Sequence, residues 1–220
     1  MATTTAPDVP AGDLRPQNVV LRNDEGHRLP LDARRWHEEP SAVEERLLAG
    51  LAGPVLDVGC GPGRIVVGLG RLGITALGVD PAPGAVELAQ RRGASILQRS
   101  VFDRLPGQGR WQTLLLLDGN LGIGGDPARL LRRCRELTAR SGTVVAEVEG
   151  PGARTQRHRA RLEWGGRHGS WFRWAVVGVD GIGSLAMAAG LVVGRLQHDR
   201  AEDRWFAHLV SPDGGDHGGQ

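Results

Sequence analysis

The sequence predicts a doubly wound α/β protein: a mostly parallel, seven-stranded sheet with a terminal antiparallel strand and a hairpin-like insertion. Three observations lead there. Short apolar strands alternate with amphipathic helical stripes four times within residues 54–149, the pattern of a parallel sheet with helices on both faces. Residues 114–117 are apolar throughout, as in a central strand covered on both sides. The chain has 220 residues, enough for one core of this kind.

The elements follow in order. Residues 1–13 are small, polar and proline-containing and read as a disordered tail, as do residues 211–220. Between them, 14–210 reads as a single domain. Its core is 54–149, its insertion lies at about 150–178, and its final helix and strands occupy 180–210. Ser41 and Glu44 form a capping box before a helix whose Val43, Leu47, Leu48 and Leu51 share one face. Residues 55–58 form a strand that ends in a glycine loop, and residues 64–72 carry a helical stripe. Strand 75–79, helix 84–92, strand 94–98 and strand 113–117 come next. Asp126 and Pro127 fit the N-cap and first position of a helix with Leu130, Leu131, Cys134 and Leu137 inward. On that stripe Cys134 reads as a small core residue. Strand 143–148 follows.

Residues 157–163 and 170–179 flank Trp164-Gly165-Gly166-Arg167-His168-Gly169 and read as a hairpin or an excursion above the sheet. Asp180 is placed to cap a helix with Ile182, Leu185, Ala186 and Ala189 inward, closed by Gly190. Residues 191–196 and 204–210 complete the sheet as an antiparallel edge pair.

Composition narrows the function. Glycine takes 34 positions without a period, about twice its usual share, which favours tight turns and backbone-lined sites. Basic residues number 27 against 25 acidic, and all 27 are arginine. The acids are interspersed, so the balance speaks against nucleic acid as a partner. The local exception is Arg154, Arg157, His158, Arg159 and Arg161, which suits an anionic acceptor or a solvated edge. Two cysteines, Cys60 and Cys134, supply neither a disulfide framework nor a metal cluster. The first 30 residues lack an apolar core of signal-peptide length, and no apolar run reaches a membrane span. A cytoplasmic enzyme acting without a membrane is the expectation.

The stretch Val55-Leu56-Asp57-Val58-Gly59-Cys60-Gly61-Pro62-Gly63-Arg64 carries the functional argument. Its glycines let the backbone turn and approach a ligand, and the helix that follows offers free N–H groups. The spacing is G-x-G-x-G, not the G-x-G-x-x-G of dinucleotide binders. Asp57 lies inside an apolar strand, where a carboxylate needs a partner. The ammonium group of S-adenosylmethionine supplies one, whereas a pyrophosphate would repel it. Asp80 closes the next strand, where a carboxylate can accept hydrogen bonds from both hydroxyls of a ribose.

These segments resemble the class I (Rossmann-like) methyltransferases that use S-adenosylmethionine. VLDVGCGPGR is similar to the family's first motif and LGVDPAPGAVELAQRRG to its second. ILQRSVFDRLP resembles the third and TLLLLDGN stands in place of the fourth. The resemblance implies a cofactor site of Asp57, Gly59, Cys60, Gly61, Gly63, Asp80, Pro81, Ser100, Val101, Phe102 and Asp118, with Ser100, Val101 and Phe102 clasping adenine. The family often has an acid where Ser100 stands, so Asp103 or backbone is the alternative contact to the adenine amino group. The product would be S-adenosylhomocysteine.

Methyl transfer asks the protein mainly to position reactants. Asp118 and Asn120, at the end of the central strand, are the candidate catalytic pair. Asp118 would act as base or orient an amine or hydroxyl, and Asn120 would accept a hydrogen bond from the acceptor. The alternative is that both shape the loop at 121–125. No metal is expected: Glu147 and Glu149 fit a magnesium-dependent arrangement poorly, and the histidine spacing matches no zinc pattern. His37 beside Trp36 could line the pocket, and His158 and His168 fall in the insertion. Trp164, Trp171, Trp174 and Phe172 read either as an aromatic lid or as hairpin packing. A small-molecule acceptor is the leading expectation because the domain is minimal. A nucleic-acid or protein methyltransferase, a non-catalytic cofactor-binding partner protein, and a nicotinamide-dependent oxidoreductase are the competing readings. Oligomeric state and acceptor atom are not legible.

Overall fold

In a computed structural model, residues 19–31 and 35–212 are described. The tail expected at 1–13 and most of that at 211–220 lie outside the described residues. In chain order the elements are β1 (Val19–Asn23), β2 (Arg28–Leu31), α1 (Ala42–Ala49), β3 (Val55–Val58), α2 (Arg64–Arg71), β4 (Ala76–Val79), α3 (Pro83–Arg91), β5 (Ile96–Leu97) and β6 (Trp111–Leu116). A 3₁₀ segment (Asn120–Gly125) leads to α4 (Pro127–Leu137), β7 (Thr138–Val148), β8 (Gln156–Trp164), β9 (Arg167–His168), β10 (Phe172–Val176), α5 (Val179–Ala188), β11 (Val192–Asp199) and β12 (Arg204–Val210).

The main sheet has seven strands in the order β11-β12-β7-β6-β3-β4-β5. The five from β7 to β5 are parallel, and β12 runs antiparallel to both neighbours. The strand order reverses between β3 and β6, which is where open α/β sheets bind ligands. Alternation along each strand sorts the core onto two faces. Val55, Leu115 and Leu117 pack with Val43, Leu47, Leu48, Ile65 and Leu69 of α1 and α2. Leu56, Val58, Leu114 and Leu116 pack with Leu130, Leu131, Ile182 and Ala186 of α4 and α5. Cys134 is fully buried in that second cluster.

Local signals behave as their chemistry requires. Ser41 and Glu44 form the reciprocal capping box of α1. The Asp126 carboxylate accepts from the Arg129 N–H at the start of α4. Asp180 is a correction. The N-cap of α5 is Gly178, without a side-chain cap, and the Asp180 carboxylate instead accepts the N–H of Gly152. Asp180 falls in the first helical turn, where its charge still suits the helix N-terminus.

A second, antiparallel sheet runs β10-β8-β1-β2, with β9 continuing beside β8. The insertion is therefore more than a hairpin: its long strand β8 pairs on one side with β10 and on the other with β1. Nothing local in the sequence links residues so far apart. The inward face carries Leu162, Trp164, Ala160 and Phe172, packed with Val19 and, partly, Trp36 and Leu88. Strand β10 lies against the 3₁₀ segment so closely that a Cβ on Gly122 would run into the Ala175 carbonyl oxygen, and one on Gly125 would stand 2.8 Å from Arg173 Cβ. Gly122 and Gly125 permit this approach.

Candidate active site

The carboxyl ends of β3, β4, β6 and β7 open into a cleft of about 700 Å³, roofed by the antiparallel sheet. Its floor is the loop after β3. Gly59, Gly61 and Gly63 all have positive φ, at 70°, 52° and 79°, a conformation that costs other residues about 1–2 kcal/mol. Their surroundings differ. A Cβ at Gly59 would meet the Asn120 side chain at 2.7 Å, and one at Gly63 would meet Ala94 at 2.8 Å and Ala89 at 3.0 Å. A Cβ at Gly61 would meet no atom within 4 Å. Gly61 thus faces open space in the cleft, while Gly63 serves the packing of α2 against α3 and β5.

Two buried carboxylates face this loop. Asp57 is 2% exposed, and its Oδ2 has no hydrogen-bond partner. Burial raises its pKa to about 7, against the opposing pull of Arg64 and with the help of Asp118 and Asp80. A group in that state asks for a cation, because an unpaired buried charge is expensive. Asp80 accepts the Gly61 N–H at 3.1 Å on one oxygen and the Ala82 N–H at 2.8 Å on the other. Burial raises its pKa, and these two bonds pull the other way.

The end of β6 is held by a charge network. Asp118, at φ 53°, pairs with Arg64 at 2.6 Å and faces Arg204 at 3.5 Å. Arg204 grips Glu147 through two bonds of 2.7 and 2.8 Å and reaches Glu44 at 2.8 Å. Glu44 also pairs with Arg64 and is 0% exposed. Burial pushes the Glu44 carboxyl up, but the guanidinium groups of Arg64 and Arg204 outweigh it and hold its pKa down at about 2. Both arginines are held above their ordinary range by the same partners, despite burial. Glu147 in turn accepts the Asp118 N–H at 2.7 Å. Asn120 donates from its amide nitrogen to the Val58 and Gly59 carbonyls, 2.9 Å each, and so pins the glycine loop.

Residues 55–142 match the model of a family described as a methyltransferase domain. That segment is a methyltransferase domain, and the fold around it is that of the class I, S-adenosylmethionine-dependent methyltransferases. Solved structures agree in fold. A methyltransferase from Bacteroides fragilis in complex with S-adenosyl-L-homocysteine superposes with a TM-score of 0.77 at 18% identity, over 96% of this chain and 97% of that one. A sugar N-methyltransferase from Streptoalloteichus gives 0.58 at 18% identity, over 81% and 90%. The 1,6-didemethyltoxoflavin N1-methyltransferase of Burkholderia thailandensis gives 0.54 at 20% identity, over 80% and 79%. No curated protein sequence matches at a significant level.

Within the methyltransferase, Asp57, Gly59, Cys60, Gly61, Asp80, Pro81, Ser100, Val101, Asp118 and Asn120 all line the cleft. Gly63 and Phe102 are not among its lining residues. Phe102 lies beneath Gly124 with the Arg129 guanidinium 4.4 Å from its ring centre. The Asp103 carboxylate accepts the Ser100 N–H at 2.9 Å and shapes the turn instead of facing the cleft. Trp36 and His158 line the cleft, whereas His37 and His168 do not. Sequence reasoning gave Glu44 only as a capping residue, weighed Glu147 only as a poor magnesium ligand and passed over Arg204; their joint role depends on α1, β7 and β12 converging. A buried glutamate at the third position of a capping box was the one signal available.

Proposed function

We propose that this methyltransferase acts on a small-molecule acceptor enclosed between the strand ends and the antiparallel sheet. The observation that carries the reading is the roof. Leu21, Leu162, Phe172 and Trp174 stand over the carboxyl ends of β3 and β6 and close the cleft to about 700 Å³, a size typical of small-molecule sites. Structural neighbours named for a sugar and for 1,6-didemethyltoxoflavin support the same class of acceptor.

The residues present fit S-adenosylmethionine. The unpartnered Asp57 carboxylate would hold the ammonium of its amino-acid end, and the open face of Gly61 would admit the backbone-close part of the ligand. Asp80 retains lone pairs for the ribose hydroxyls, and Ser100 and Val101 line the adenine end. When bound, the cofactor's sulfonium supplies a methyl group with its leaving group attached. The chain's own task is orientation. Arg64 and Arg204 fix Asp118 at the mouth of β6, and Asn120 fixes the glycine loop beside it. This arrangement favours a positioning part for both residues toward the acceptor's nucleophilic atom.

Calorimetry with S-adenosylhomocysteine, set beside NADH, tests the reading. Micromolar binding of the first alone, lost in Asp80→Ala, is the expected result. Binding of NADH instead would overturn it. Methylation of a small-molecule library by the full chain, traced with methyl-labelled cofactor, then identifies the acceptor.

A further inference from the structure

The outward face of the antiparallel sheet is rich in arginine. Strand register sets Arg28, Arg22 and Arg161 side by side across β2, β1 and β8, and Arg159 beside Arg173 across β8 and β10. Arg157 continues the row along β8. Like charges directly opposed destabilise a sheet. Yet among the described side chains this face sets one carboxylate in the row, Glu163, shared by Arg161 at 2.7 Å, Arg28 at 3.0 Å and Arg22 at 3.5 Å. Arg157 meets Asp126 only at 3.7 Å, and Arg159 and Arg173 form no ion pair among the described residues. The whole chain carries only +2, so positive charge is concentrated here and the rest of the chain is net acidic.

An aromatic side chain stands in this field. Trp171 is 37% exposed, with the guanidinium carbons of Arg161 and Arg159 at 4.9 and 5.9 Å from its ring centre. The two arginines and Trp171 share a shallow pocket with His168, Gly169 and Ser170.

We infer that this face binds single-stranded nucleic acid along Arg22, Arg157, Arg159, Arg161 and Trp171, none of which lines the methyl-transfer cleft, whereas Arg28 and Arg173 at its margins also border that cleft. Arg157, Arg159 and Arg161 repeat along β8 at about 6.6 Å, a spacing that suits successive phosphates of an extended strand. An exposed aromatic ring among cations is the other half of a sequence-tolerant single-strand site. A protein partner would be met by an apolar interface core, and a bilayer by inserted apolar side chains. Among the described side chains of β1, β2 and β8 on this face, half-buried Val20 is the aliphatic contribution. The use of arginine adds no weight, because the chain contains no lysine.

The test is fluorescence anisotropy of a fluorescein-labelled oligouridylate 20-mer against the full chain at 50 and 200 mM salt, with S-adenosylhomocysteine affinity and melting temperature as controls. The expected result is micromolar binding that weakens steeply with salt. It should fall at least tenfold in the triple variant Arg22→Gln, Arg157→Gln, Arg159→Gln, and several-fold in Trp171→Ala, with both controls unchanged. No binding at 50 mM salt would overturn the inference. So would equal retention on phosphatidylserine vesicles or inorganic polyphosphate together with no effect of Trp171→Ala, since that is the signature of charge alone.

Discussion

The floor of the cleft draws Asp57, Gly59, Cys60, Gly61 and Pro62 from one short run of chain. The roof draws its contacts from strands such as β1 and β8, which pair residues as distant in sequence as Val20 and Glu163. The two regions also use different groups. The floor presents backbone and two buried carboxylates, while the roof presents aliphatic and aromatic side chains on an alternating strand face. A surface read by side chains can change without disturbing the sheet below it. The seam between them is where the 3₁₀ segment meets β10, and the charge network of Glu44, Arg64, Asp118, Glu147 and Arg204 ties the floor to α1 and β12.

The largest expected effect comes from cutting that network. Glu44→Gln leaves two buried guanidinium groups short of a carboxylate, and loss of about 3–5 kcal/mol is expected in denaturant unfolding. The pH dependence is a separate readout. The Glu44 carboxyl titrates at about 2 in the fold against an ordinary 4.5. It therefore contributes stability above pH 4.5, which drains away as pH falls toward 2. In Glu44→Gln that part of the acid limb should be missing. An unchanged limb would mean the network contributes little.

Gly122→Val attacks the seam. Its side chain would meet the Ala175 carbonyl, and overpacking of this kind costs about 1–3 kcal/mol or more. A fall of melting temperature with S-adenosylhomocysteine affinity largely retained would show that the roof detaches from a floor that stands. Loss of both together would show that the two halves fold as one unit.

Asp57→Asn separates function from stability. The Asp57 carboxyl titrates at about 7 in the fold and near 3.8 when free. Its folded pKa is raised, so its contribution is fully favourable below pH 3.8 and is lost as pH rises through 7. The variant should melt higher than the parent at pH 8, by a margin that shrinks toward pH 4, while binding S-adenosylhomocysteine at least tenfold more weakly. A variant that binds normally would remove Asp57 from the cofactor site.

The smallest effect is local. Ser41→Ala removes one N-cap bond and should cost about 1 kcal/mol, with no change in cofactor affinity. A larger loss would mean that the cap also holds Glu44 in the network, since the Glu44 carboxylate accepts the Ser41 N–H at 2.9 Å.

What the sequence by itself determined was every feature whose cause lies within a few residues. Apolar alternation set β3, β4 and β6, and the caps at Ser41 and Asp126 started their helices. The G-x-G-x-G loop with Asp57 and Asp80 marked the floor of the cleft, because turn geometry and a carboxylate within a strand are short-range demands. Tertiary structure decided the rest. It paired β8 with β1, stood Trp174 over Gly119, moved the capping of α5 to Gly178, and took Gly63 and Phe102 out of the cleft lining. It also brought Glu44, Arg64 and Arg204 together. Each of these depends on closing a long loop, and no local propensity records which distant partner will compensate that entropy.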